Sequence, residues 1–189
     1  GTVQFTDNSS ESPTSWSWSF TGGTPATSTD QNPAVVYASA GTYEVSITVT
    51  NTAGTDTKTE VSYITVNANP TLSASNDGPY CLGDNINLSA TGAGGNAWAW
   101  TGPNGFTSTS EDPTISNASL LMDGAYTVTY TNTTTSCFAQ VSTTAVVNDD
   151  PDIIASTNTP ICEGSNLILS ATSSVSGLNY SWTGPNSFS

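Results

Sequence analysis

The sequence predicts an all-β chain built as small β-sandwich modules in a linear array. Turn-forming residues recur every ten or so positions between short runs rich in Thr, Val, Ile and Tyr, and no run holds helical spacing. A hydrophobic fraction of 35% over 189 residues is low for one large core. The chain also repeats itself: "PYCLGDNINLSAT" (79–91) returns 81 residues later as "PICEGSNLILSAT" (160–172), and "WAWTGPNGFTS" (98–108) returns as "YSWTGPNSFS" (180–189).

Taken in order, the first unit is assigned to residues 1–68. Its "TSWSWSFTGG" (14–23) places Trp16, Trp18 and Phe20 on one face of an extended strand, because alternate residues share a face. "AGTYEVSITVTN" (40–51) alternates Tyr43, Val45, Ile47 and Val49 with polar residues, as a half-buried strand does. The second unit, 69–149, repeats the plan: "NAWAWTGPNGF" stands for the paired-aromatic strand, "SEDP" (110–113) answers "DQNP" (30–33), and "DGAYTVTYTN" (123–132) answers the Tyr43 strand. Residues 150–189 read as the N-terminal half of a third, similar sandwich.

A ring kept in the same place in each unit is most simply core. Trp18, Trp100 and Trp182 are therefore expected to be buried, each worth on the order of 4–6 kcal/mol gross for about 150–250 Å² removed from water. The outer members, Trp16 and Trp98, are candidates either for the rim of the core or for stacking against a glycan. Gly41 and Gly124 stand two residues before Tyr43 and Tyr126, a spacing similar to a tyrosine corner, in which the phenol bonds back to upstream backbone. An ordinary core tyrosine is the alternative.

Charge narrows the functions. One Lys (Lys58), no Arg and no His stand against 15 acidic residues, a formal net charge of −14. Nucleic acid and anionic membrane are excluded as partners, since both need basic residues to meet phosphate. Without histidine there is no hydrolytic triad and no His-based zinc site, and the carboxylates are scattered over turns and linkers, so the chain is read as no enzyme. No apolar run is long enough for direct membrane insertion. "NDDPD" (148–152) gathers Asp149, Asp150 and Asp152, with Glu163 near in sequence, as candidate oxygen ligands for calcium, or else forms a solvated hinge. No other cofactor is expected.

Residues 3–66 resemble a PKD domain, a sandwich of the immunoglobulin-like class, in the aromatic-x-Trp strand, the Asn-Pro and the Gly-x-Tyr-x-Val strand. The family's two acidic turn residues fall on the region of Ser19 and Gly22. The later units resemble Cys-containing PKD-like or Ig-like repeats of very long secreted surface proteins of Bacteroidota, through Cys81, Gly83, Leu88, Ala90, Trp100, Gly102, Pro103, Asn104, Phe106, Gly124, Tyr126, Val128 and Cys137. That resemblance implies export, often by type IX secretion, and a family that includes gliding-motility adhesins.

Within the second unit a Cys81–Cys137 disulfide is expected, closing a loop of about 57 residues worth roughly 4 kcal/mol and implying an oxidising compartment; two free thiols are the alternative. Cys162 matches Cys81, and its partner would fall about 56 residues further on, past Ser189, so it is expected to be unpaired here. Likewise Thr2 to Asp7 reads as the second strand of a PKD unit with no first strand before it. The functional expectation is an extracellular, cell-surface stalk or spacer, non-catalytic, partnered by neighbouring repeats and by surface polysaccharide or protein; the alternative is an accessory binding module of a secreted hydrolase.

Overall fold

The computed structural model describes residues 1–185, and apart from two single-turn 3-10 segments its regular elements are strands. In the first repeat β1 (Thr2–Gln4), β2 (Ser15–Phe20), β3 (Gly23–Thr24), β4 (Thr27–Ser28), β5 (Ala34–Tyr37), β6 (Gly41–Asn51) and β7 (Gly54–Val66) form two sheets, ordered β1-β5-β3 and β4-β2-β6-β7. Strands β2 and β6 pair antiparallel with Trp18 opposite Ile47 and Phe20 opposite Val45. The two apolar faces close on Phe5, Trp18, Phe20, Val35, Tyr37 and Val45, with the Phe5, Trp18 and Phe20 ring centroids 4.8 to 5.7 Å apart.

One irregularity interrupts this sheet. Tyr43 lies opposite Ile64 but Val45 lies opposite Glu60, so Val61, Ser62 and Tyr63 bulge out of β7. Val61 and Tyr63 are accordingly exposed and Ser62 takes a left-handed φ of 55°.

The second repeat follows with β8 (Thr71–Asn76), β9 (Tyr80–Cys81), β10 (Ile86–Ala93), β11 (Ala97–Thr101), β12 (Thr107–Ser108), β13 (Thr114–Ile115), β14 (Gly124–Thr131), β15 (Phe138–Ala145) and β16 (Val147–Asn148). Its sheets run β13-β10-β8 and β12-β11-β14-β15, and β16 pairs parallel with β9. The third repeat contributes the antiparallel pair β17 (Ile154–Thr157) and β18 (Leu169–Thr172).

Spatial proximity divides the chain into two compact units, one of Gly1–Ser73, Ala90–Ala99 and Val128–Val141, the other of Ala74–Ser89, Trp100–Thr127 and the residues from Ser142 onward. The division does not follow the repeat boundaries, because strands of the second repeat contribute residues to both.

Candidate functional site

Each of the first two repeats builds the same two polar anchors around its core. Trp18 and Trp100 are buried, and each indole N–H donates to a main-chain carbonyl in the acidic turn ahead of a buried proline: Trp18 Nε1 to Asp30 O at 2.9 Å, Trp100 Nε1 to Glu111 O at 3.1 Å. A buried indole without an acceptor would be costly, so these carbonyls fix where the turn sits. Ser28 and Ser108 shape the turns alike, each accepting the N–H two residues on at 3.1 Å. The prolines then align the opposite sheet: Pro33 O accepts from Phe5 N, and Pro113 O from Leu88 N. The sequence alone pairs "DQNP" with "SEDP" but does not show that the tryptophans hold them; an aromatic strand followed eleven or twelve residues later by an acid just ahead of a proline is the signal.

The second anchor is a tyrosine corner. Tyr43 Oη donates to Ser39 O and Tyr126 Oη to Met122 O, both at 2.9 Å and both four residues upstream. The intervening Gly41 and Gly124 have φ of 156° and 133°, a conformation that side chains rarely adopt. Burial, and then the Asp123 carboxylate, push the Tyr126 phenol above its ordinary pKa. Tyr126 is fully buried, whereas Tyr43 is half-buried.

The outer aromatics are both half-buried and engaged internally. Trp16 packs against the first core and its indole N–H donates to Asp7 Oδ2 at 2.7 Å. Burial works against the Asp7 carboxylate, but hydrogen bonds from Ser9, Trp16 and Gln31 outweigh it and hold Asp7 below the usual carboxylate value. Trp98 stacks on Tyr130 with centroids 3.9 Å apart and planes 22° apart, and Tyr130 Oη donates to Gly95 O at 2.6 Å.

A third feature was not legible beforehand. Tyr80, buried in β9, donates to Asp77 Oδ1 at 2.6 Å, while Asn87 Nδ2 donates to Asp77 Oδ2 at 2.9 Å and Thr114 donates to Asn87 Oδ1 at 2.9 Å. Burial, followed by the hydrogen bond and charge of Asp77, pushes the Tyr80 phenol up to about 12. The Tyr80 and Asn87 donors in turn hold Asp77 below its ordinary value. The acids and amides are common in this composition, so nothing in the sequence marked these as partners.

Two expectations, the disulfide and the burial of Trp182, are corrected. Cys81, Cys137 and Cys162 are all free thiols. Cys81 lies beside Asn148, next to Val147, whose N–H is bonded to Asp123 just ahead of β14, whereas Cys137 lies in the turn after β14, where its carbonyl accepts from Asn132. The same Cys81 carbonyl instead closes a turn with Asp84 N over Gly83 at φ 83°, and Cys162 does so with Ser165 N over Gly164 at φ 82°.

Trp182 is half-exposed rather than buried, in a shallow hollow with Ile153, Ala155 and Ala171, because only β17 and β18 are formed in this repeat among the described residues. The "TGPNSFS" stretch lies outside the described residues from position 186 on.

The acids Asp149, Asp150, Asp152 and Glu163 are all exposed, and among the described residues no three His, Cys, Asp or Glu side chains gather as a metal site would require. Nor is any helix among the described residues long and apolar enough to cross a membrane.

Two doubled anchors, a Trp tied to a turn and a Tyr tied to a corner, define the first repeat. Residues 2–66 match the PKD domain family. The PKD match covers β1 to β7 and stops where the second repeat begins. No curated protein matches the chain. Among solved structures, the N-terminal four Ig domains of Dscam1 isoform 4.44 share 17% identity over 78% of this chain and 41% of theirs, with a TM-score of 0.34. The amphioxus IgVJ-C2 molecule shares 16% identity over 77% of this chain and 96% of its own, with a TM-score of 0.35. The chain thus spans about two fifths of the Dscam1 length it is compared with.

Proposed function

We infer that residues 1–189 are non-catalytic spacer modules, 1–68, 69–149 and the start of a third at 150, within a large exported bacterial surface adhesin or filament that serves attachment or motility. The supporting observation is the duplication of structure without duplication of chemistry. The Trp–carbonyl anchor and the tyrosine corner occur in both repeats at matching places, while the carboxylates that aromatic side chains engage differ, Asp7 with Trp16 in the first and Asp77 with Tyr80 in the second. A selected reactive site would favour the opposite pattern.

The net charge of −14 keeps neighbouring filaments apart and soluble. An extracellular setting of the type IX, Bacteroidota kind fits the Cys-containing repeats. Trp16 and Trp98 as glycan platforms are disfavoured by their internal partners, Asp7 and Tyr130. The test is replacement: in a longer chain carrying these modules, unrelated β-sandwich modules of equal number are exchanged for them. Retained surface attachment is expected. Loss of attachment with export unchanged overturns the spacer reading and supports a binding module.

A further inference from the structure

The two cysteines of the second repeat stand where the chain leaves it and where the chain enters it. On the exit side, Cys81 pairs with Asn148 at the end of β16, immediately ahead of the linker 149–153. On the entry side, Cys137 O accepts from Asn132 N and Asn132 Nδ2 donates to Gly94 O, both at 2.9 Å. A Cβ added to Gly94 would lie 3.7 Å from Cα of Pro70, the last residue of the linker 67–70 ahead of β8. Cys137 thus belongs to the turn that receives the chain from the first repeat.

The exit place recurs. Cys162 closes with Ser165 N the same turn that Cys81 closes with Asp84 N, and it too is exposed. In the first repeat Phe5 N bonds Pro33 O as Leu88 N bonds Pro113 O, so Phe5 holds the place of Leu88. Cys81 stands seven residues ahead of Leu88, and the matching place in the first repeat therefore lies ahead of Gly1. The entry place is particular to the second repeat. Asn51 Oδ1 accepts the N–H groups of Ala53 and Gly54 as Asn132 Oδ1 accepts those of Thr134 and Thr135, but the turn Asn51–Gly54 holds no cysteine. The exit end is also apolar. Leu82 is 37% exposed beside Cys81, and Leu120 and Leu121 of the 3-10 segment Leu120–Met122 are 51% and 72% exposed. Bonds from Gly83 N to Ala118 O and from Ala118 N to Asp84 O, both 2.8 Å, tie the Cys81 turn to the loop that carries these leucines. An apolar rim beside an exposed thiol, at the point where the next repeat begins, is a surface for that repeat to cover.

We propose that the cysteines join successive repeats rather than the two sheets of one repeat: the exit thiol of each repeat bonds to the entry thiol of the next. Cys137 takes the thiol at the Cys81 place of the first repeat, and Cys81 takes the thiol at the Cys137 place of the third. Neither place falls within residues 1–189. The linkers 67–70 and 149–153 reach at most about 3.3–3.6 Å per residue, so the thiols that flank a linker meet at high effective concentration. Each bond forms by exchange with a disulfide donor, an oxidised dithiol protein or oxidised glutathione. One thiolate attacks the donor, the second displaces it from the mixed disulfide, and the donor leaves as two thiols carrying the two protons. A covalent tie beside each linker holds the angle between repeats, and it serves a spacer and a binding module alike.

The test builds the exit place of the first repeat onto the full chain. The tripeptide Cys-Leu-Gly, copied from residues 81–83, is set directly ahead of Gly1, which restores the seven-residue spacing to Phe5. The extended chain is equilibrated in a glutathione redox buffer, alkylated, and mapped by mass spectrometry without reduction. The leader cysteine is expected to bond Cys137 in at least fivefold higher yield than Cys81 or Cys162, and Cys137→Ser is expected to leave it free or capped by glutathione. Comparable yields with all three thiols overturn the proposal, and so does a leader thiol that stays unlinked while Cys137 alkylates in full. A longer chain carrying a complete third repeat gives an independent reading in its exported, unreduced form. There Cys81 is expected in a linked peptide with the entry cysteine of that repeat; a Cys81–Cys137 bond, or a Cys81 that alkylates in full, overturns the proposal.

Discussion

Trp100 is 1% exposed and holds Glu111 O as well as filling the second core, so Trp100→Ala removes both packing and an anchor. A loss of about 3–5 kcal/mol is expected in chemical denaturation; an unchanged midpoint would contradict its role as core. The tyrosines offer a sharper contrast. Tyr126 Oη bonds Met122 O, whereas Tyr37 Oη is buried with no hydrogen-bond partner among the described residues. Tyr126→Phe should therefore cost about 1 kcal/mol, while Tyr37→Phe, which loses no bond and removes a buried unpaired hydroxyl, should leave stability unchanged or raise it. Burial, and then Tyr43, raise the Tyr37 pKa, in keeping with a phenol that stays neutral. Parallel melting curves of the two variants decide it.

At the scale of elements, the loop between β8 and β10 is tied down by Tyr80, Asp77 and Asn87 rather than by apolar packing alone. Tyr80 titrates at about 12 in the folded chain against about 10 when unfolded. Folding thus favours the neutral phenol, and its stabilisation is complete below pH 10 and is lost as pH rises from 10 towards 12. Tyr80→Phe should flatten the decline of the melting temperature over that window. An equally steep decline in the variant would show that the phenols of Tyr37 and Tyr126 carry it instead. Asp77, held below its ordinary value by Tyr80 and Asn87, acts at the other end: its contribution is present above about pH 4 and fades as pH falls below that.

For the whole molecule, the anchors recur in the first two repeats, and the acids of the 148–152 linker stand exposed, with no group of three His, Cys, Asp or Glu side chains among the described residues. Calcium removal is accordingly expected to leave the melting temperature and the small-angle scattering profile unchanged. A drop in melting temperature on adding chelator, restored by calcium, would establish a metal-stiffened linker. Thiol labelling supplies a second check at this scale. Cys81 and Cys162 are exposed and Cys137 is half-buried, so two thiols should react quickly and one slowly in the folded chain; two unreactive thiols would restore the disulfide.

What the sequence determined by itself was periodic and local. Alternation at Tyr43, Val45, Ile47 and Val49 names a strand and its inner face, because side chains on a strand alternate whatever it packs against. The 81-residue recurrence shows that the plan is repeated, and the Gly-x-Tyr spacing carries the corner, because a bond to a residue four positions upstream needs no distant partner. Tertiary structure decided whatever depends on which strand covers which. Trp100 and Trp182 occupy matching places in the repeat, yet one is buried and the other half-exposed, because burial is a property of the neighbours. Cys81 and Cys137 looked pairable because only their order was visible, whereas in the folded chain both are free thiols. The inward charges of β7 arise from its register against β6, which alternation alone leaves free to slip by an even number of residues.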